Sequence, residues 1–396
     1  MLLSHNKLSI IKHINSSTVL IFAAVAYSYA RTWVHQDDGA TSFTPLSPFP
    51  YVVFSVYLAV LAFKVYRLYR EGVFDHKRPQ YYLALLLCAI TAGVYYVLLG
   101  DFSLLMAVSL GIGLQNDNTD NIIKCTGIIA LCFIIIQIVG YYLGIFYDIK
   151  ANDSNWMRPT MLGDSRAAFG FGHPNRPFTF LIPVWISVFY YQGRVKLLLG
   201  GICSVLSLLI FGMTGSRTIL VLLVLLPLGS VFNRLPLSSR SIKWLLRLIF
   251  PISLVISIGI SLVFGNGNNL VQDALSGRPQ WWGYYIENGF QLVGMTVGCA
   301  QVFEGGLPLD NYTLDVLYRG GILITIIMSV WYAVFISYLL TKHDNKTIYS
   351  VIYMFVCGLS ESAIRFVSAP FLPLLTIAVL QIAENSGHDK PRCTAD

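Results

Sequence analysis

Charge is the first scarcity. Asp, Glu, Lys and Arg make up only 12% of the 396 residues, against a hydrophobic share of 55% and a mean hydropathy of +0.64. A soluble domain carries about 25% charge, so the composition excludes an ordinary globule and predicts an all-α polytopic membrane protein. Histidine is scarcer still, with seven residues and no pair at ligand spacing. No metal and no cofactor are therefore expected, and the one acidic pair in the first outer loop, Asp37-Asp38, reads as solvated. Of the seven cysteines, Cys88, Cys125, Cys132, Cys203 and Cys357 fall inside apolar runs, Cys299 in a long loop and Cys393 in the tail, which is no disulfide framework. The net charge of +7 is scattered between apolar runs instead of forming a stripe, so no nucleic-acid partner is expected. The two halves show no repeat, which counts against an inverted-repeat transporter.

What the chain has in quantity is apolar runs of about 15 to 23 residues. They predict helices near 17–34, 51–69, 81–99, 102–115, 124–146, 177–192, 197–213, 217–233, 245–264, 320–340, 347–363 and 367–384, twelve in one integral membrane domain over 1–396. Lys7 and Lys12 precede the first run with no small-residue cleavage site after it, so it is expected to be a retained span. Prolines at 183, 227, 251, 370 and 373 predict bent or broken helices.

The cations report orientation. With the N-terminus inside, eighteen Lys and Arg fall on the cytoplasmic side and nine outside, as the positive-inside rule requires, and both termini are expected in the cytoplasm. Eight of the nine outer cations are arginine, whereas ten of the eighteen inner ones are lysine. Orientation needs charge of either kind; a planar fork of donors is what phosphate or carboxylate recognition needs.

Two outer loops are long, 147–176 and 265–319. The first ends in DSRAAFGFGHPNRP, where Arg166, His173, Asn175 and Arg176 surround two glycines and Pro177 can open the next helix. Next comes Thr214-Gly215-Ser216-Arg217, in which Ser216 can cap a helix begun by Arg217, a seat for pyrophosphate. The second long loop carries Arg278 in LSGRP, then Trp281, Trp282, Tyr284 and Tyr285 on a short helix over 280–290 expected to lie at the membrane surface. The four rings read first as an interfacial belt, with Trp281 also able to stack on a sugar. The loop closes in Asp310-Asn311-Tyr312. Among the outer acids Asp164, Glu287, Glu304, Asp310, Asp315 and Glu361, Asp310 is the preferred general base and N-capping its alternative; Glu361 reads as the partner of Arg365.

The order of these motifs, R…GFGHPN, TGSR, LSGR and DNYTL before an RGGIL helix, resembles the Wzy-type oligosaccharide repeat-unit polymerases of the wider O-antigen ligase and polymerase family. The resemblance implies a metal-independent membrane glycosyltransferase bundle of the GT-C-like kind in the bacterial cytoplasmic membrane, with its active site on the outer face. It implies a growing glycan on undecaprenyl diphosphate as donor, a lipid-linked repeat unit as acceptor, and a chain-length regulator as a further partner. Arg217 and Arg278 would then hold the donor diphosphate, Asp310 would be catalytic, and Arg166, His173, Asn175, Ser216, Asn311, Tyr312 and Trp281 would line the substrate pocket. The related ligases carry histidine where Asp310 precedes Asn311, which favours polymerase over ligase. Ligase-type transfer to another acceptor and a flippase for lipid-linked sugars are the rival readings.

Overall fold

The computed structural model describes residues 16–34, 49–75, 77–99, 102–148, 160–163, 166–171, 175–216, 237, 239–265, 270–275, 277–304, 309–359 and 371–385. Among them all regular secondary structure is helical: α1 (Ser16–Val34), α2 (Phe49–Arg70), α3 (Pro79–Leu99), α4 (Ser103–Leu114), α5 (Thr119–Tyr142), α6 (Arg176–Val188), α7 (Gly193–Thr214), α8 (Arg240–Arg247), α9 (Ile249–Phe264), α10 (Leu270–Ala274), α11 (Arg278–Glu287), α12 (Val297–Glu304), α13 (Tyr312–Thr341), α14 (Asn345–Gly358) and α15 (Phe371–Asn385).

Eleven of the twelve expected helices have a helix in their place, and the twelfth, 217–233, lies outside the described residues. Their lengths are less uniform than expected. Among the described residues five helices are long and apolar enough to cross a membrane: α2, α3, α5, α7 and α13. The pair α8 and α9 would make a sixth if it counts as one broken span, bent by 69°. Pro251 explains that bend, because in the first turn of α9 its missing N–H is harmless, whereas inside one continuous helix it would break a bond. Helix α4, with twelve residues, extends only about 18 Å at 1.5 Å per residue and packs between α3 and α15 without spanning alone.

The exposed surface of the long helices is apolar, as at Val97 (80%) and Leu197 (77%), which suits lipid and not water. Inside, α5 and α6 approach so closely that a Cβ at Gly127 would collide with the Ser187 side chain. An aromatic cluster of Phe250, Tyr312, Tyr332 and Phe355 joins α9, α13 and α14.

Side-chain bonds sort the helix ends into two sets. At one end the Lys64 ammonium of α2 donates to Ser17 Oγ of α1 (2.7 Å) and pairs with Asp117 between α4 and α5 (3.4 Å). Tyr81 bonds Gln115, Lys77 pairs with Glu384, and the Tyr190 and Thr347 hydroxyls meet at the same end. The opposite end collects the close of α5, α7, α9 and α14 and the start of α6, α11 and α13, and with them Arg166, Arg176, Arg278 and Arg319. Four of the arginines expected outside, Arg166, Arg176, Arg278 and Arg319, thus gather at one end of the bundle, while Arg67 and Arg247 lie at the other with Lys64 and Lys77.

The Lys64–Asp117 pair, with side chains 10% and 19% exposed, makes a test. Removing one member of a buried pair leaves an uncompensated charge, so Lys64→Met should destabilise the protein by about 3 kcal/mol in thermal unfolding, and Lys64→Met with Asp117→Leu should recover most of that. A single variant as stable as the wild type would show that the pair is solvated.

Candidate functional site

Two clusters form at the arginine end. In the first, residues 160–163 and 166–171 fold back on the close of α7: the Leu162 N–H donates to Gly212 O and the Ala167 N–H to Met213 O. Gly215 ends α7 in the left-handed conformation (φ 61). Arg166 reaches the same turn, with Nε donating to Thr214 O (2.5 Å) and Nη2 to Asn175 Oδ1 (3.1 Å). A cation on the last carbonyls of a helix is electrostatically favourable. Arg166, Asn175, Thr214, Gly215 and Ser216, read separately from the sequence, are thus one cluster. Ser216 is buried, and its hydroxyl has no hydrogen-bond partner among the described residues. Arg217 and His173 lie outside the described residues, as do Asp37, Asp38, Asp164, Glu361 and Arg365.

The sequence reading missed what holds this loop. Asp148, just beyond α5, accepts the Ala168 N–H on Oδ2 (2.8 Å) and the Gly170 N–H on Oδ1 (2.7 Å), while Gln137 Nε2 of α5 donates to Phe169 O (2.8 Å). Phe169 and Gly170 both have positive φ (52 and 75), which turns successive N–H groups toward one anion. Gly170 is required twice over, because a Cβ there would lie 2.8 Å from Phe146 Cβ and 3.0 Å from Gln137 Nε2. The Ala168 and Gly170 amides are therefore presented to an internal carboxylate, not outward to a phosphate. Gln137 was the available signal: one long polar side chain in an otherwise apolar run must find a partner.

Burial raises the Asp148 pKa above its ordinary 3.8, against the lowering effect of the Ala168 and Gly170 N–H groups. A raised folded-state pKa adds stability below the unfolded value and loses it as pH rises through the folded one. Wild type should therefore lose thermal stability relative to Asp148→Asn as pH climbs from about 4. A difference in midpoint that stays flat with pH would remove Asp148 as the titrating group.

The second cluster gathers Arg278, Asp310, Asp315 and Arg319. On α11, Arg278, Trp282 and Tyr285 share one face at helical spacing, and all three are buried. Arg278 Nη2 donates to Asp310 Oδ2 (3.1 Å) and Nη1 to Leu275 O (3.4 Å). Its side chain is 6% exposed and that of Asp310 22%. Asp315 and Arg319 form an i,i+4 pair at 3.4 Å on α13. Tyr285 lies within the field of Asp310, Asp315 and Arg319, with its pKa raised chiefly by burial.

Several expectations change here. A surface belt of all four rings is ruled out: Tyr284 is exposed and Trp281 half-buried, but Trp282 and Tyr285 are fully buried in a core with Cys299, Leu309, Leu314 and Tyr318. Asp310 does not cap α13. Asn311 does, with Oδ1 accepting the Leu314 N–H (3.0 Å), while its Nδ2 donates to Ser257 Oγ (2.8 Å) and Leu359 O (3.0 Å). Asn311 and Tyr312, expected to touch substrate, are instead turned into the core: every amide bond of Asn311 is taken, and Tyr312 meets Tyr332 within the aromatic cluster. They fix the place of Asp310. Among the described residues no group of three metal-ligating side chains occurs.

Fold and site together define a multi-pass α-helical membrane protein with arginine–acid chemistry gathered at one end of the bundle. No family model, no curated protein and no solved structure matches the chain.

Proposed function

We propose that the protein is a membrane glycan polymerase of the Wzy type. It is a twelve-pass bundle in the bacterial cytoplasmic membrane, with both termini in the cytoplasm and the arginine end facing out. The donor is a glycan on undecaprenyl diphosphate, the acceptor a lipid-linked repeat unit, and no metal is needed. One observation carries the reading: Arg278 and Asp310, 32 residues apart, meet at 3.1 Å at the bundle end where the outer arginines collect.

A transfer with inversion needs a base for the acceptor hydroxyl and a cation for the departing diphosphate. Asp310 takes the hydroxyl proton as the acceptor oxygen attacks the anomeric carbon, and the C–O bond to diphosphate breaks on the opposite face. Arg278 orients Asp310 in the resting site and, with Arg217, stabilises the diphosphate as it leaves. Arg166, His173, Asn175 and Ser216 border the donor side and Trp281 the sugar side. Asn311 and Tyr312 serve by anchoring the start of α13.

The decisive experiment incubates the purified protein in liposomes with its lipid-linked repeat unit and a chelator, and resolves the products on a gel. A ladder of lengthening glycans is expected. Transfer to a different acceptor without a ladder would make the protein a ligase, and movement of the lipid across the bilayer without any transfer would make it a transporter.

A further inference from the structure

The second long loop is stitched into a break in α13. Gly321 is non-helical (φ 83, ψ 177), and the N–H groups that the break frees at Ile322 and Leu323 donate to Gln291 O and Leu292 O at 3.0 Å each. The Gly294 N–H donates back to Gly320 O (3.2 Å). Beyond the break, 322–341 forms an apolar piece about 30 Å long, the thickness of a bilayer's hydrocarbon layer. Segment 291–294 therefore sits at the boundary of that layer. Gly294 also packs against α3, since a Cβ there would lie 3.7 Å from Leu98 Cδ2 in the last turn of that helix.

The side chains on this stretch are wrong for water. Phe290, Leu292 and Val297 are 55%, 65% and 77% exposed, and Val293 is exposed beside them. Their apolar surface continues that of Val97 on α3 and of Leu323, Ile326 and Val330 on α13, two helices that pack together. The polar side chains bond within the segment itself: Gln291 Nε2 donates to Met295 O (2.7 Å), Thr296 Oγ1 to Asn288 O (3.2 Å) and the Cys299 thiol to Gly289 O (3.3 Å). Irregular backbone survives at membrane depth only when its polar groups find partners within the protein.

We propose that residues 289–297 dip into the bilayer and that their partner is the acyl-chain layer of the leaflet at the arginine end. This segment of the long loop is then a membrane-seated shelf, not a lid over water. This holds whatever reaction the protein performs.

The test places a photo-reactive phenylalanine at single positions of the full chain in phospholipid liposomes: Leu292→p-benzoylphenylalanine, the same change at Val297, at Val330 as a lipid-facing reference and at exposed Glu287 as a water-facing one. Irradiation should give lipid-mass adducts from 292 and 297 at yields close to that from 330, and none from 287. Lipid adducts from 330 with none from 292 or 297 would overturn the proposal. So would a dimer-mass adduct from 292, which would assign the face to a second copy of the chain.

Discussion

Gly321→Ala should destabilise the protein by about 3 kcal/mol or more, the larger part of its effect coming from backbone that cannot move aside. The conformation at Gly321 (φ 83, ψ 177) lies in a region essentially reserved for glycine, and holding another residue there costs about 1–3 kcal/mol before any collision. A Cβ would also stand 2.7 Å from Leu292 O, 2.8 Å from Val293 Cα and 2.9 Å from Gly294 N, all main-chain atoms of the segment that caps the broken helix. Gly320→Ala is the comparison. Its Cβ would meet only the Ile324 side chain at 3.0 Å in a helical backbone, so its effect should stay below about 1 kcal/mol. Thermal midpoints in detergent decide the matter, and equal midpoints for the two variants would mean that the break is not imposed by Gly321.

Arg278→Ala should reduce glycan polymerisation by about 100-fold or more, the scale seen when one charge-stabilising donor leaves an active site. Arg278→Lys should rescue little, because an ammonium cannot hold Asp310 and Leu275 O through two separate nitrogens as the guanidinium does. A structural ion pair would also be harmed by Arg278→Ala, so the double variant Arg278→Met with Asp310→Leu separates the cases. Restored thermal stability with no glycan ladder supports the catalytic assignment. A restored ladder would reduce the pair to a strut and remove both residues from the mechanism.

Much of the helical frame was legible in the sequence because a bilayer leaves few alternatives. Apolar runs fixed where helices lie, and Pro177 and Pro279 marked two starts, both close to the positions observed. Ends were less legible. α5 begins at Thr119 because Asn118 caps it by accepting the Asp120 N–H (2.8 Å), several residues before hydropathy alone would start it at 124. α13 begins at Tyr312, because Asn311 caps a nine-residue stretch ahead of Gly321 that carries both Asp315 and Arg319.

The amino-acid sequence by itself determined that this is a helical membrane protein and which arginines and acids stand among its apolar runs, since burial of charge in lipid is too costly to be casual. Only the tertiary structure decided which of them meet. Pairing of Arg278 with Asp310, docking of Arg166 on the α7 terminus and capture of the Ala168 and Gly170 amides by Asp148 all join residues tens of positions apart. Such contacts depend on which helix ends are neighbours, and hydropathy, which reports how deep a residue sits and not what stands beside it, carries no record of that.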